Sequence, residues 1–572
     1  MGEHRKKKAQ QESKPDPLAD KPGLRIELSM RDLEAILERA KAALSEEEFA
    51  TLKGALETLE FLTRELEKKN VSVQRLKQLL FGAATETTRK VIEKILDHAG
   101  KDRAPAAGGG EAGAGEKPKG HGRNGADAYG GARRVRVPLA SLHAGNACPS
   151  CKKGTVYASC QPGVLVRLTG QAPIGGVVYE LEKLRCNACG EVFTAEAPEG
   201  VGEEKYDAES AAMIGVLKYG AGLPFHRLER LQEDLGIPLP AATQWEIVSE
   251  TAVTLTPALT EMIRQAAQGE VIHNDDTTMK VLTLGSAAGE AGGVVAAAPT
   301  VEYCTGPGEA GGRTGVFTSG IVSKAGEHEI ALFFTGHKHA GENLFDLLQQ
   351  RLTELGPPIQ MCDALSRNVP EELQTLLANC LAHGRRRFVD VAGSFPEECI
   401  HVLEILKDVY ANDAIARDRG MSAEERLRFH QARSGPRMAD LEAWMKAQIE
   451  ERKVEPNSGL GEAIAYMRKH WNELTLFLRV PGAPLDNNIC ERALKKAILH
   501  RKNAYFYKTE NGARVGDLFM SLIHTCQLNG ANPFHYLTEL QKHARELAAA
   551  PADWMPWNYL RTLESSQGLP SG

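Results

Sequence analysis

The sequence lacks any long apolar run. None of its segments reaches the ~18 consecutive apolar residues that a membrane helix needs, so we expect no membrane span. The first twenty residues, MGEHRKKKAQQESKPDPLAD, have a basic start but no apolar stretch after it, and so lack the h-region of a secretory signal. Together these absences predict a cytoplasmic protein.

An excess of positive charge is also missing. The 69 lysines and arginines face 75 aspartates and glutamates, which gives a formal net charge of −6. A site for a polyanion must therefore be a local cluster of bases, because the surface as a whole does not attract one. Cysteine is scarce as well: eleven in 572 residues, an odd number without an export signal, favour reduced thiols or metal ligands over a disulfide framework.

The remaining composition is that of a soluble globular chain, with 42% hydrophobic and 25% charged residues. After a solvated tail, residues 26–80 are helix-forming, and leucine or valine recurs every seven residues at 52, 59, 66, 73 and 80. This repeat predicts a leucine zipper that brings two copies together, and the alternative is a helical hairpin within one chain. The Gly-rich segment 101–135 has too little apolar area to fold and predicts a linker.

Two C-x-x-C pairs predict a structural zinc site. Cys148 and Cys151 form the first pair, and Cys186 and Cys189 form the second. Four thiolates at this spacing suit one tetrahedral zinc ion. Cys186 follows Cys151 by 35 positions (186 − 151), which exceeds the usual ~15–20, but the intervening sequence is typical of the strands of a zinc ribbon. The alternative, a redox dithiol, would use one pair and leave the other without a role.

The following segments predict a helical region and then a sheet. Residues 207–268 favour a helix-turn-helix whose second helix carries Thr243, Gln244 and Trp245, and a plain packing unit explains the pattern equally well. After Gly269, three strand-like segments, a helix and a further strand ending at PIQMCDAL are consistent with a ribonuclease-H-like α/β sheet. Neighbouring side chains on a strand point to opposite faces, so the adjacent Asp275 and Asp276 cannot both bind one ion.

Three stretches resemble one protein family. The segment HNDDTT resembles an H-x-D-E-T motif, CLAHGRRRF resembles C-W-A-H-x-R-R-x-F, and DNNICERALKKAILHRKN resembles D-N-N-x-x-E-R…R-K-N. All three motifs belong to the insertion sequence sixty-six family of bacterial DDE transposases. The zipper ending in LLFG, the four-cysteine segment and the block LKYGAGLPFHRLERLQEDLGI are also similar to that family, so the resemblance covers nearly the whole chain.

The resemblance implies a catalytic triad of Asp275, Asp363 and Glu491 that holds two Mg²⁺ (or Mn²⁺) ions. Carboxylates that gather two such ions are the apparatus of phosphodiester chemistry. Spacing alone does not establish this role, since each carboxylate is otherwise a helix cap or a surface charge. The chain departs from the family at Asp276 in place of glutamate, at Leu381 in place of tryptophan, and in lacking a Gly-Tyr pair after Asp363.

Basic residues near these motifs predict contacts with DNA phosphates. The candidates are Arg385, Arg386, Arg492, Lys495, Lys496, Arg501 and Lys502. Tyr505, Phe506 and Tyr507 interleave with the second group, and either stack on unpaired bases or belong to the core. Asp486 or Asn487 is expected to cap the helix that carries Glu491.

The sequence as a whole predicts a multidomain α+β transposase that cleaves element ends and joins them to target DNA. It would act as a dimer or higher oligomer, with helper proteins of the same element, in the bacterial cytoplasm on the nucleoid. The alternative functions are a catalytically inactive, zinc-dependent repressor or architectural protein, and a hydrolase using Cys380 or His383, which lacks supporting spacing. The predicted parts are a tail (1–22), zipper (23–100), linker (101–135), zinc domain (136–200), helical DNA-binding domain (201–268), catalytic domain (269–395 and 480–512), helical insertion (396–479) and C-terminal helices (513–572).

Overall fold

A computed structural model describes most of the chain after residue 203. Its described residues are 39, 49, 53, 144–147, 152, 155, 172–185, 192–199, 204–285, 315–370 and 373–566. The predicted tail and linker lie outside them, as does the zipper apart from three helical positions. Cys148, Cys151, Cys186 and Cys189 lie outside them too. The residues that flank each cysteine pair in the sequence pair with each other in antiparallel fashion. Ala147 forms a bridge with Thr155 around the first pair, and Arg185 pairs with Val192 around the second.

The described chain contains both helices and strands up to Asn379, and every later regular element that the structure describes is a helix. The first part contains β1 (Lys183–Arg185), β2 (Val192–Thr194), α1 (Ala208–Gly215), α2 (Phe225–Asp234), α3 (Ala241–Ala266), β3 (Val271–Thr278), α4 (Leu282–Gly285), β4 (Phe317–Ala325), β5 (His328–Gly336), α5 (Ala340–Leu348), β6 (Ile359–Cys362) and β7 (Leu376–Asn379). The rest contains α6 (Leu381–Val391), α7 (Pro396–Asp418), α8 (Ala423–Arg433), α9 (Gly435–Glu450), α10 (Gly459–Lys469), α11 (Trp471–Leu474), α12 (Asn488–Ala504), α13 (Glu510–Leu528), α14 (Pro533–Lys542), α15 (Ala544–Ala549) and α16 (Tyr559–Ser566).

A five-stranded mixed sheet is the centre of the larger of two compact units, which comprises residues 101–383, 412–435 and 470–572. Its strand order is β5-β4-β3-β6-β7; β3, β4 and β5 are antiparallel neighbours, and β6 and β7 run parallel to β3. The mixed α+β class is therefore as predicted. β7 was not anticipated, and the predicted first strand ends at Thr278, because the chain turns and Leu282–Gly285 is helical.

Helix α13 covers the outer edge of β5 with a row of polar side chains. Asp517, Ser521, Thr525 and Asn529 accept hydrogen bonds from the backbone N–H groups of Thr335, Phe333, Ala331 and Glu329, at 2.7, 3.0, 3.1 and 3.3 Å. Four helical residues advance about 6 Å and two strand residues about 6.6 Å, so the two rows stay in register. The edge strand is thereby closed to pairing with another chain.

One hydrophobic core joins the sheet, the helices before it and the helices after it. Val248, Leu255 and Met262 of α3 belong to this core together with Phe333 of β5 and Phe519 of α13. The boundary predicted at residue 268 therefore falls inside a continuous core.

The predicted reading helix is part of the same packing. Gln244 of α3 is fully buried, and its amide nitrogen donates to the backbone oxygens of Phe225 (3.1 Å) and Leu239 (2.9 Å). Trp245 packs against the core. A buried Gln244 is unable to contact DNA bases. This favours the interpretation of residues 207–268 as a packing unit over that of a helix-turn-helix that reads DNA.

The smaller unit is helical in its described part, which consists largely of residues 384–411 and 436–469. Within it Arg437 pairs with Asp408 at 2.8 Å, and the guanidinium carbon of Arg387 lies 3.9 Å from the centre of the Tyr466 ring. The helices predicted for 396–479 are present as α7 to α11. Among the residues that the structure describes, none of the helices has both the length and the apolar character of a membrane span.

Candidate active site

Strand β3 presents its two adjacent aspartates to different partners. Oδ1 of Asp275 accepts hydrogen bonds from the backbone N–H of Asp276 (2.8 Å) and from the side-chain amide of Asn368 (3.4 Å). The carboxylate of Asp276 instead accepts a hydrogen bond from Nδ1 of His339 (2.7 Å) and lies 3.3 Å from the Arg367 guanidinium. Neighbouring residues of a strand point to opposite faces of the sheet. Asp276 therefore lies on the face opposite to Asp275, where His339 and Arg367 are its partners.

Asp363 follows directly on β6, which runs parallel to β3 beside it. The carboxyl ends of neighbouring parallel strands lie at one edge of a sheet, which brings Asp363 towards Asp275. Nδ2 of Asn368 donates to Oδ1 of Asp363 as well as to Asp275, so one amide joins the two carboxylates. The backbone oxygen of Asn368 accepts bonds of 2.7 Å from the side chains of Asn274 and Gln360, which fixes its position.

Glu491 lies in the first turn of α12, and small residues allow this helix to approach the sheet closely. A Cβ on Gly320, which pairs with Asp275, would lie 2.9 Å from Cδ2 of Leu494. The thiol of Cys490 donates to the backbone oxygen of the same glycine at 3.2 Å. The helix therefore lies against the part of the sheet that carries Asp275, which brings Glu491 to the same edge.

The two residues before α12 have different roles. Oδ1 of Asp486 accepts the backbone N–H of Asn488 at 3.1 Å, as a cap does, whereas the side chain of Asn487 makes no capping bond. Asn487 is buried and bonds β3 instead: its Oδ1 accepts from His273 (3.1 Å) and its Nδ2 donates to the backbone oxygen of Asn274 (3.0 Å). Burial lowers the pKa of His273 to about 4, so this histidine is neutral. Asn487 thus fastens the start of α12 to the strand of Asp275.

Burial, reinforced at Asp275 by like charge, raises the pKa values of two of the three carboxylates. Burial, and then the nearby charge of Asp363, raises the pKa of Asp275 to about 7, with smaller contributions from Asp276 and Glu491. Burial also raises the pKa of Asp363, against the opposing effects of His383 and Asn368. Oε1 of Glu491 is shielded from solvent and accepts no hydrogen bond among the described residues. Carboxylates gathered in this way favour a cation from solution.

A histidine and a cysteine flank this group. Nε2 of His383 lies 3.7 Å from Oε1 of Glu491. The ligand atoms of Cys380, His383 and Glu491 all lie within 4.8 Å of one another. Burial raises the pKa of the Cys380 thiol to about 12, and its sulfur accepts the backbone N–H of Asn487 at 3.3 Å. A nucleophilic cysteine needs a thiolate, so the Cys380 hydrolase alternative loses its nucleophile.

The predicted DNA-binding residues separate into exposed and engaged groups. Arg492, Lys495 and Lys502 are exposed on α12. Lys496 is half-buried and donates to the backbone oxygen of Gly220 at 3.2 Å, and Arg501 donates to the hydroxyl groups of Thr277 and Thr278. Two further predicted residues, Arg385 (half-buried) and Arg386 (exposed), belong to the smaller unit.

Sequence reasoning missed two polar residues that organise this site, Asn368 and His339. It also missed the hydrogen bonds that join Asn487 to β3. The doubled asparagine in PLDNN was a signal for these bonds, because one helix start needs only one side-chain cap. His339 opens α5 in a capping box with Glu342, a pattern visible as HAGE in the sequence. Asn368 stands in a short turn after Asp363, where no local pattern marks it.

The chain was compared with known proteins. The model of the transposase IS66 family matches residues 205–515, more than half of the chain. Three relatives from Sinorhizobium fredii (strain NBRC 101917 / NGR234) carry the name uncharacterized protein. The protein y4jD is 38% identical over 29% of this chain and 32% of its own length; y4qI is 27% identical over 61% and 62%; y4hP is 26% identical over 66% and 67%.

The chain spans about a third of the length of y4jD and about three fifths of that of y4qI. No solved structure matches it. The family inferred from the HNDDTT, CLAHGRRRF and DNNICER motifs agrees with the match over residues 205–515. The chain therefore belongs to the IS66 family of transposases.

Proposed function

We propose that this protein cleaves DNA at the ends of a mobile element and transfers the freed strand into target DNA. The observation that carries the proposal is the convergence of Asp275, Asp363 and Glu491 at one edge of the sheet, with the pKa of Asp275 raised to about 7. The repulsion between these buried carboxylates destabilises the ion-free protein, and bound divalent cations would offset this cost in stability. Membership of a transposase family agrees with this chemistry.

Asp275, Asp363 and Glu491 would hold two Mg²⁺ or Mn²⁺ ions, since oxygen ligands suit these hard cations. When bound by these residues, the ions would supply the activation of a water or a 3′-hydroxyl and charge stabilisation for the departing oxygen of a phosphodiester. Asn368 orients both aspartates, and Asn487 sets the angle at which α12 presents Glu491. The exposed bases Arg492 and Lys495, one and four residues after Glu491, attract the phosphate backbone.

Other features support the wider assignment. The strand order β5-β4-β3-β6-β7, with carboxylates on β3, after β6 and on a later helix, supports a ribonuclease-H-like catalytic domain. We further propose a structural zinc ion on Cys148, Cys151, Cys186 and Cys189, and self-association through the zipper to pair two element ends. Helper proteins of the same element and action on the nucleoid complete this hypothesis.

The test uses purified full-length protein with labelled DNA containing the terminal repeats that flank the reading frame. With Mg²⁺ and any helper proteins encoded beside it, wild type is expected to nick and join this DNA. Glu491→Gln is expected to abolish both steps and to keep end binding. If wild type binds the ends but never cleaves them with any divalent ion or helper, the inactive DNA-binding alternative replaces the proposal.

A further inference from the structure

Helix α12 ends in an exposed aromatic pair with an unusual backbone. Tyr505 has φ 67° and ψ −40°, a left-handed conformation that favours glycine, and its side chain is 70% exposed. The adjacent Phe506 is 41% exposed. A strained, solvent-facing tyrosine gains nothing from the core, and such strain concentrates where a side chain must be presented.

The residues around this pair are firmly held. Tyr507 is buried, its N–H donates to the backbone oxygen of Lys280 (2.9 Å), and its own oxygen accepts from Leu282 (3.0 Å). Its ring stacks on His500 with 4.1 Å between centroids. On the other side, Arg501 bonds the end of β3 at Thr277 and Thr278. Tyr505 and Phe506, here called the aromatic platform, are thus fixed to the strand that carries Asp275.

A row of exposed cations joins the platform to the carboxylate site. Arg492, Lys495 and Lys502 are exposed at spacings of three and seven residues, which places them on one face of α12. Glu491 lies in the first turn of this helix, and Tyr505 follows its last residue. The separation of fourteen positions (505 − 491) corresponds to about 21 Å at the rise of an α-helix. That length equals about six steps of a DNA duplex, each of 3.4 Å.

We propose that the aromatic platform stacks unpaired bases of a DNA strand about six nucleotides from the phosphate held at the carboxylate site. Base stacking on aromatic side chains beside cations is how single strands are held without regard to sequence. The cations favour a nucleic acid over an apolar protein partner, because they supply contacts for the backbone between the two points. This inference rests on the proposed function, and it adds single-stranded DNA to the substrate of the same site.

The test measures binding of full-length protein to a hairpin duplex that is blunt or carries six unpaired thymidines at its 5′ or its 3′ end. Fluorescence anisotropy gives the dissociation constants. Wild type is expected to bind one tailed duplex at least about tenfold more tightly than the blunt one, from the typical contribution of stacked bases. The double variant Tyr505→Gly, Phe506→Ser is expected to lose this preference and to bind blunt duplex as before.

Two controls separate stacking from misfolding. Glycine tolerates the backbone of residue 505, so Tyr505→Gly is expected to melt no lower than wild type. Leu499→Ser changes another exposed apolar side chain of the same helix and is expected to keep the tail preference. Tyr505→Trp, which retains a ring, is also expected to keep it.

The proposal is overturned if wild type shows no tail preference, if the double variant retains it, or if blunt and tailed binding fall equally. Glu491→Gln is expected to keep the tail preference. A protein that cleaves element ends without a tail preference contradicts this inference alone. A protein with a platform-dependent tail preference that never cleaves contradicts the proposed function alone.

Discussion

Two half-buried aspartates of the larger unit have opposite electrostatic surroundings. Asp413 accepts hydrogen bonds from Nε of Arg426 (2.8 Å) and from Nε2 of His430 (3.2 Å). Although burial alone raises its pKa, these partners hold the pKa of Asp413 below its usual value. Among the described residues no such cation opposes burial at Asp275, and burial together with the charge of neighbouring Asp363 raises the pKa to about 7.

On the proposed function, this difference separates a structural carboxylate from one that binds metal. Arg426 and His430 of the folded chain are the partners of Asp413, whereas the cations proposed for Asp275 come from solution. The bases of α12 divide in the same way, since Lys496 donates to Gly220 while Lys495 is exposed. On the proposed function, the groups whose partners lie outside the fold outline the site.

The largest difference is expected in catalysis. Asp275→Asn removes a carboxylate that we propose to bind divalent ions, and DNA cleavage is expected to fall by more than about 100-fold, because even the loss of an outer partner of a metal ligand costs 10–100-fold. Asp413→Asn is expected to leave the cleavage rate of the folded fraction within about threefold of wild type. Rates on labelled element ends measure both. Equal losses in the two variants would contradict the division.

Stability is expected to change in opposite directions. Without divalent ions, Asp275→Asn removes charge repulsion and is expected to raise the melting temperature by roughly 2–5 °C. Asp413→Asn leaves Arg426 and His430 without their carboxylate and is expected to destabilise the protein by about 1–3 kcal/mol. Calorimetry in Mg²⁺-free buffer compares the two variants with wild type. A lower melting temperature for Asp275→Asn would show that its carboxylate is satisfied in the fold.

The effects of the two substitutions on stability should also depend differently on pH. The pKa of Asp275 is higher in the folded state than the ~3.9 of an unfolded chain, so its contribution to stability is favourable below pH ~4 and is lost as pH rises through about 7. The gain from Asp275→Asn should therefore grow over that interval. The pKa of Asp413 is lowered by folding, so its contribution is present above pH ~4 and is lost at lower pH. Melting curves from about pH 3 to pH 8 record both profiles, and parallel profiles would argue against the assignment.

The smallest effect concerns the bases. If Lys495 and Lys502 contact DNA phosphates as proposed, Lys495→Ala and Lys502→Ala should each reduce the slope of log K against log salt by about 0.9 on duplex DNA. Lys496→Ala removes a contact within the fold and is expected to leave that slope unchanged. Anisotropy titrations at several salt concentrations measure the slopes, and a reduced slope for Lys496→Ala would place that amine on DNA.

Local patterns predicted the strands that carry Asp275 and precede Asp363, because the first (VIHNDDTT) is rich in β-branched residues and the second (IQMC) is largely apolar. They did not predict β7, since the four residues LLAN lead directly into α6 and show no distinct period. The polar row of α13 was also missed. Its spacing of four is a helical face, but only the strand beside it reveals that it caps an edge.

The residues of the candidate site that lie in a sequence motif were predicted. Those that join the site through tertiary contacts were not. Glu491 and its capping residue Asp486 follow from a short stretch of sequence. The bridging amide of Asn368 and the inward bonds of Asn487 join residues 93 and 213 positions apart. No local period records such contacts, and they depend on the close approach of α12 at Gly320.

The most direct test of a divalent-cation site at Asp275, Asp363 and Glu491 is the melting temperature at pH 8 as Mg²⁺ or Mn²⁺ is added. Wild type is predicted to gain stability with each increase in free ion, as a ligand that binds only the folded state requires. Asp275→Asn is predicted to start higher and to respond little. An Asp275→Asn protein that starts lower and responds as wild type does would contradict the account.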